Sequence, residues 1–272
     1  MLFRSGYDLP LLWNAAQEGG KQVSETIFYQ KSVNLFLFDF GISDSGRNIG
    51  TDIRQRMWPS LALALPSLIV GLLVNITLAL MIVLFRNSYL ELAASVLLVM
   101  LMSVSSLFYI IGGQFFIGKL LKWVPISGYD NGFAAIKFLL LPVIISVLAG
   151  IGSGVRWYRT LFLEEVEKDY VRTARAKGLT ETQVLFKHVL KNAMIPILTG
   201  VVVVLPLLFM GSLIMESFFS IPGLGSYTID AINRQDFAIV RSMVFLGSVL
   251  YVAGLLMTDI SYTLVDPRVR LS

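Results

Sequence analysis

The chain has no cysteine and a single histidine, His188, in 272 residues. Without cysteine there is no disulfide, no thiolate metal site and no thiol nucleophile. One imidazole cannot build a histidine-cluster metal site within one chain. Charge is scarce too. Asp, Glu, Lys and Arg make up 15% of the residues, against about 25% in a soluble globular chain. Residues 57–85, 92–118, 138–155, 192–215 and 242–258 hold none of the four. Hydrophobic residues account for 56% of the chain, and the mean hydropathy is +0.73. A helix needs about 20 apolar residues to cross the hydrocarbon core, so these runs exclude a pair of soluble domains. They predict an all-α, polytopic membrane protein with about five transmembrane helices. The net charge of +4 fits basic loops beside anionic lipid and gives no reason to expect nucleic acid as a partner.

Residues 1–56 read as a mostly polar, extracytoplasmic leader. Arg4, Asp8 and Glu18 interrupt its start, so it offers no apolar core for a secretory signal, and the expectation is a true N-terminus further upstream. The first span is expected from Trp58 to Phe85, with Pro59 in its opening turn, a kink at Pro66 and Asn75 as its one amide. A turn at Arg86-Asn87-Ser88-Tyr89 leads to a second span, Leu92 to Ile117, containing Ser103 and Ser105. The third runs from Phe138 to Val155, the fourth from Ile195 to Met215, and the fifth from Ser242 to Val265 with Asp259 inside it. Small residues along these spans let helices approach closely.

Between the third and fourth spans the character changes. Arg156 to Lys191 holds eight basic residues, with Glu164, Glu165, Glu167, Asp169 and Glu181 among them. If this segment is cytoplasmic, the short loops of that side carry 11 basic residues against 5 on the other, as the positive-inside rule requires. Leu163, Val166, Tyr170 and Ala174 form an apolar stripe at helical spacing, and Glu164 is placed to pair with Lys168 at i,i+4. Gly178 suits a helix C′ position. Thr180 with Gln183 makes a capping box, and Glu181 suits the first turn that follows. Leu185, His188, Val189 and Asn192 share a face of the next helix. The segment therefore reads as helix, glycine turn, helix: either a rigid elbow offering Ala174, Ala176 and Gly178 to a partner, or a solvated inter-helix loop.

The run Asp169-Tyr170-Val171-Arg172-Thr173-Ala174-Arg175-Ala176-Lys177-Gly178-Leu179 resembles the EAA loop of ABC importer permeases. Gly178 and Ala174 match that loop's pattern, while Arg172 and Thr173 stand where it has Glu and Ala. With the His188-x-Leu190-x-Asn192 that follows, the run is similar to the dipeptide, oligopeptide and nickel branch. So are Phe218 to Gly225, Asp259, and the ending Leu264 to Arg270, whose Asp266-Pro267-Arg268 points to the first of two paired permease subunits. The resemblance covers about Asp39 to Arg270. It implies the type I permease fold with six spans, one more than this chain carries. It also implies a permease domain at 57–266 with a coupling loop at 156–192, and a cytoplasmic tail at 267–272.

The resemblance further implies a subunit that moves peptides, or a related solute such as a nickel chelate, across a bacterial or archaeal cytoplasmic membrane by alternating access. Its partners would be a second homologous permease, two ATP-binding cassette ATPases, an extracytoplasmic binding protein and membrane lipid. It would bind no cofactor itself, ATP and magnesium being used by the ATPases, and it would not be an enzyme. The sequence carries no Gly-x-x-x-x-Gly-Lys-Ser/Thr loop, in keeping with that division of labour. Coupling residues would be Thr173, Ala174, Ala176, Lys177, Gly178, Leu179, Thr180, Glu181 and His188, the last as a packing residue rather than a proton carrier. Pro222, Gly223, Leu224 and Gly225 form a turn that would also dock the binding protein.

Asn75, Ser103 and Ser105 line the pathway or simply join helices. Glu216 is a gate residue or binding-protein contact, or an interfacial carboxylate paired with a base, and Asp259 a pathway residue or a structural cap. A stand-alone secondary transporter or channel, the competing reading, predicts mid-span ionisable groups and internal repeats, neither of which is found. An intramembrane enzyme would need a dyad within the spans, and none is present.

Overall fold

The computed structural model describes Thr26, residues 28–130 and residues 132–265. The leader before Thr26 and the Asp266-Pro267-Arg268 ending lie outside the described residues. Every named element among the described residues is helical.

The first long helix, α1, spans Ile49–Leu84. Asn48 caps it by accepting the Thr51 N–H at 3.0 Å, and Asp52 sits in its first turn, favourable for the helix dipole. The helix begins well before Trp58 and continues through Pro59 and Pro66 without a break. After a turn whose Asn87 has φ 61°, Ser88 caps α2, Tyr89–Ser103.

The expected second span does not run straight. Val104 and Ser105 are extended, and helix resumes as α3, Ser106–Gly113, carried on by a π turn to Leu120 at 87° to α2. The Ser105 hydroxyl accepts the Leu107 N–H, so the break carries its own cap. Helix α4, Ala135–Val166, is again longer than its apolar run. Short helices α5, Asp169–Ala176, and α6, Glu181–Val184, form the elbow. A π turn at Leu185–Val189 joins α6 to α7, Leu190–Val204, and a 3₁₀ turn at Pro206–Met210 follows.

Gly211, at φ 69°, turns the chain out of the fourth span. Helix α8, Leu213–Phe219, is therefore a separate element, and the fourth span ends at Met210, short of the expected Met215. Helix α9 is Leu224–Arg234, and α10 is Phe237–Val265. Among the described residues, four helical stretches are long and apolar enough to cross a membrane, or five if the bent α2–α3 pair counts as one.

Helix α1 lies along α4, α2 packs on α4, and α7 packs on α10. Arg159 of α4 pairs with Glu91 in the first turn of α2. Only 17–33% of the apolar window in each of the four stretches is buried within the chain. The rest faces outward, as lipid or a partner helix requires. Burial concentrates in three clusters. One joins Ala79, Leu80 and Val83 of α1 to Val155, Phe162 and Val166 of α4 and to the elbow. A second joins Ile49 and Ile53 to α9 and α10. A third joins Leu63 to α3, α4 and α8.

The α2–α4 contact depends on a missing side chain. A Cβ on Gly152 would lie 2.5 Å from Met102 Cγ and 3.0 Å from the Leu98 carbonyl oxygen, whereas one on Gly150 would meet nothing within 4 Å. Gly152→Leu is therefore expected to cost about 1–3 kcal/mol by overpacking, with Gly150→Leu close to neutral. Thermal unfolding of the detergent-solubilised protein measures both.

Candidate functional site

The elbow starts where α4 ends. Lys168 is extended, and α5 leaves in a new direction. Lys168 consequently pairs with Glu165 and not with Glu164: an i,i+4 pair needs continuous helix, and the helix stops at Val166. Glu165 also accepts the Tyr170 hydroxyl. Burial first, and then that bond, pushes the Tyr170 hydroxyl up to about 12.

Helix α5 closes with two reverse bonds, Gly178 N–H to the Arg175 carbonyl at 2.9 Å and Leu179 N–H to the Ala174 carbonyl at 3.4 Å. Those are the two bonds of a Schellman motif with its C′ residue in the left-handed region, and Gly178 has φ 80°. The capping box follows. The Gln183 N–H reaches the Thr180 hydroxyl at 3.4 Å, and the Thr180 N–H reaches the Gln183 side chain at 3.2 Å. Arg175 then spans the turn with two bonds to Glu181, at 2.7 and 3.2 Å. That clamp was not legible in sequence, because its partners face each other only once the turn exists. The Arg175 bonds hold the Glu181 carboxyl below its ordinary value of 4.5.

The elbow is seated in the protein by Val171, Ala174, Val184, Leu185 and Val189, all buried against α1 and α4. Ala174 is 4% exposed, so it is a seating residue and not part of a contact surface. Thr173, Ala176, Lys177, Gly178, Thr180 and Glu181 are exposed, and Leu179 and His188 are half-buried. His188 lies in the π turn, where its carbonyl accepts the Asn192 amide at 3.0 Å.

At the other end of α1 the chain forms a tight knot. Glu216 is 0% exposed. Its carboxylate accepts the Ser212 N–H at 3.2 Å and the Ser226 N–H at 3.0 Å, together with the Gly225 N–H and the Ser60 hydroxyl. None of these groups is a base, which corrects the expectation of an interfacial carboxylate in an ion pair. Gly223, Leu224 and Gly225 are buried here as well, and of the four residues expected to dock a binding protein only Pro222 is exposed. The signal for this knot was one lone hydroxyl, Ser60 in an apolar helix, which does not announce a partner 164 residues away.

Asn75 is 9% exposed and faces α4, where a Cβ on Gly154 would lie 2.5 Å from its amide nitrogen. It lines a cavity of about 400 Å³ between α1, α4 and the 204–212 segment. The other polar residues there are Ser67, Ser146, Tyr158 and Ser212, and no charged residue contributes. Ser103, Ser105, Glu216 and Asp259 are not part of it. Ser103 donates to the Val99 carbonyl of its own helix at 2.9 Å, Ser105 caps α3, and Asp259 is exposed on α10. Beside the knot, a second cavity of about 320 Å³ carries Arg47, Arg56 and Arg234 with Asp44, Asp230 and Asp236.

Residues 75–271 match the family described as binding-protein-dependent transport system inner membrane component. A putative peptide transport system permease protein of Brucella abortus is 35% identical over 243 residues, covering 87% of this chain and 77% of that protein. The dipeptide transport system permease protein DppB of Bacillus subtilis is 29% identical over 252 residues, covering 92% and 80%. The oligopeptide transport system permease protein AppB of the same organism is 37% identical over 156 residues, or 55% of this chain and 49% of that one. Among solved structures, a chain of the inward-facing MetNI methionine ABC transporter superposes with a TM-score of 0.59 at 16% identity, over 77% of this chain and 95% of that chain. At that identity the likeness shows the fold.

The Arg175–Glu181 clamp sets a pH window. A carboxyl whose folded value is depressed contributes stability above its ordinary value and loses it as pH falls through the folded value. Amide-exchange protection at Gly178 and Leu179 is thus expected to hold between about pH 6 and 8 and to fall only below the ordinary 4.5. Glu181→Gln should lower that protection at neutral pH. Unchanged protection in the variant would remove the clamp from the elbow's stability.

Proposed function

The chain belongs to the family of binding-protein-dependent transport system inner membrane components, and on that footing we propose that it is the membrane-spanning subunit of an ATP-driven importer of peptides. The observation that carries the reading is the elbow: two short helices locked at a fixed angle by a Schellman turn, a capping box and an ion pair. Their apolar side is buried against α1 and α4, and Thr173, Ala176, Lys177, Gly178, Thr180 and Glu181 are presented outward. A rigid projection of this kind suits a separate ATPase chain that binds the elbow differently in its nucleotide states. Only a difference in binding energy between the two states does work. Driving a two-state equilibrium from 1:99 to 99:1 takes about 5.5 kcal/mol, and a floppy loop would dissipate it.

In this reading the subunit pairs with a second permease, two ATPases use ATP and magnesium beneath them, and an external binding protein delivers substrate at the Glu216 end of α1. The two states alternate access across a bacterial or archaeal cytoplasmic membrane. Peptides are favoured over nickel chelates because the relatives named above are peptide permeases. The charge-free cavity beside Asn75 also suits substrates whose side chains vary in charge. A stand-alone transporter or channel gains no support, since the exposed elbow would then have no partner to meet.

Gly178→Arg tests the reading. A non-glycine residue in the left-handed region costs about 1–2 kcal/mol, and the longer side chain sits on the exposed knuckle. The variant is expected to insert and assemble while losing ATP hydrolysis stimulated by substrate-loaded binding protein. Normal stimulation would remove the elbow from the mechanism.

A further inference from the structure

The outer end of α1 is held on one face. Asp52, Arg56 and Ser60 follow one another at intervals of four, so they stack along a single side of the helix. Each of them grips the segment from Glu216 to Tyr227. Asp52 accepts the Tyr227 hydroxyl at 3.0 Å. Arg56 lies 4.7 Å over the Tyr227 ring. The Ser60 hydroxyl accepts the Leu224 N–H at 2.8 Å and donates to Glu216.

Glu216 completes the joint. Its carboxylate gathers the N–H groups of Ser212, Gly225 and Ser226 together with the Ser60 hydroxyl. Those donors come from α1, from the turn before α8 and from the start of α9. The backbone is wrapped so closely that a Cβ on Gly211 would lie 1.9 Å from one carboxylate oxygen and a Cβ on Gly223 2.3 Å from the other. The three backbone groups can only donate, so the site calls for acceptors, and a carboxylate supplies two acceptor oxygens.

The inner end of the same helix is seated in the elbow. Ala79, Leu80 and Val83 pack in one cluster with Val171, Ala174, Val184 and Val189. From Ser60 to Val83 the unbroken helix covers roughly 35 Å at 1.5 Å per residue. One continuous helix therefore carries the loop at one end and the elbow at the other.

We propose that Glu216 is a positioning residue that fastens the Pro222–Gly225 loop to α1, so that displacement of the loop by an external binding protein is transmitted along α1 to the elbow. The inference rests on the importer reading above and deepens it. The loop contributes little docking surface beyond Pro222. Its inward-facing amides are the attachment, and Ser60 is the point on α1 to which they attach.

The test uses the complete transporter, with permeases and ATPases reconstituted in lipid and the external binding protein added with peptide. Glu216→Gln places an amide NH₂ among N–H donors, and Ser60→Ala removes the bridge from α1 while leaving the carboxylate. Both variants are expected to keep basal ATP hydrolysis. Stimulation by loaded binding protein should fall about fivefold or more, as expected for loss of a coupling contact, and the amides of Leu224, Gly225 and Ser226 should exchange faster. Wild-type stimulation in both variants would overturn the proposal. So would a parallel loss of basal and stimulated hydrolysis, which marks a merely structural role. Should Glu216→Gln fail to assemble, Ser60→Ala decides alone by the same criteria. A wild-type complex with no binding-protein stimulation would instead overturn the importer reading, and this inference with it.

Discussion

The elbow has a direction because its apolar side is buried in the seam between α1 and α4. Val171, Ala174, Val184 and Val189 find no core of their own in helices this short, and isolated helices of such length are marginal in water. They are stable because Ala79, Leu80, Val83, Val155, Phe162 and Val166 complete the cluster. The seam also explains why the charged residues fall where they do. Once one side of α5 is committed to the seam, Arg172, Thr173, Ala176 and Lys177 are left on the other. Loss of the seam would leave the local caps intact and the elbow without an orientation.

The two ends of α1 are held by opposite kinds of electrostatics. At the elbow, Arg175 and Glu181 pair in the open, and a pair of that kind contributes little to stability. Its value is geometric, because two bonds from one guanidinium set the angle across Gly178. At the far end, a carboxylate with no exposure is satisfied entirely by N–H and O–H donors. A buried group of this sort is costly if a partner is lost, so the knot is less forgiving than the clamp. One joint tolerates exchange of partners and the other does not.

Local signals were legible and distant ones were not. The charge-free runs located the long helices, because burial in lipid leaves a compositional trace that needs no partner. Gly178, Thr180 and Gln183 announced the Schellman turn and the capping box, because both motifs close within six residues. The 87° break at Val104 and Ser105 left no trace, since an apolar run reads the same whether straight or bent. Gly211 hid the end of the fourth span for a related reason: a glycine beside apolar residues is as easily a packing residue as a turn. Helical spacing pairs Lys168 with Glu164, but α4 ends at Val166 and Lys168 meets Glu165 instead. Glu216 was the largest gap. Its donors come from positions 60, 212, 225 and 226, and nothing in a local pattern brings them together.

Pro222 stands out in this light. It is the exposed residue of a loop whose next three residues are all buried. Proline has a fixed φ and no N–H to satisfy, so it can occupy the tip of the turn without asking for a partner. The amides that do need partners, those of Leu224, Gly225 and Ser226, are spent on Ser60 and Glu216. A loop built to bind through its own backbone would leave such groups free. Here they are turned inward onto α1 and α8, and the surface that remains is rigid because of them. A push on a rigid tip moves whatever the tip is fastened to, and the fastening is to α1, which together with α4 also seats the elbow.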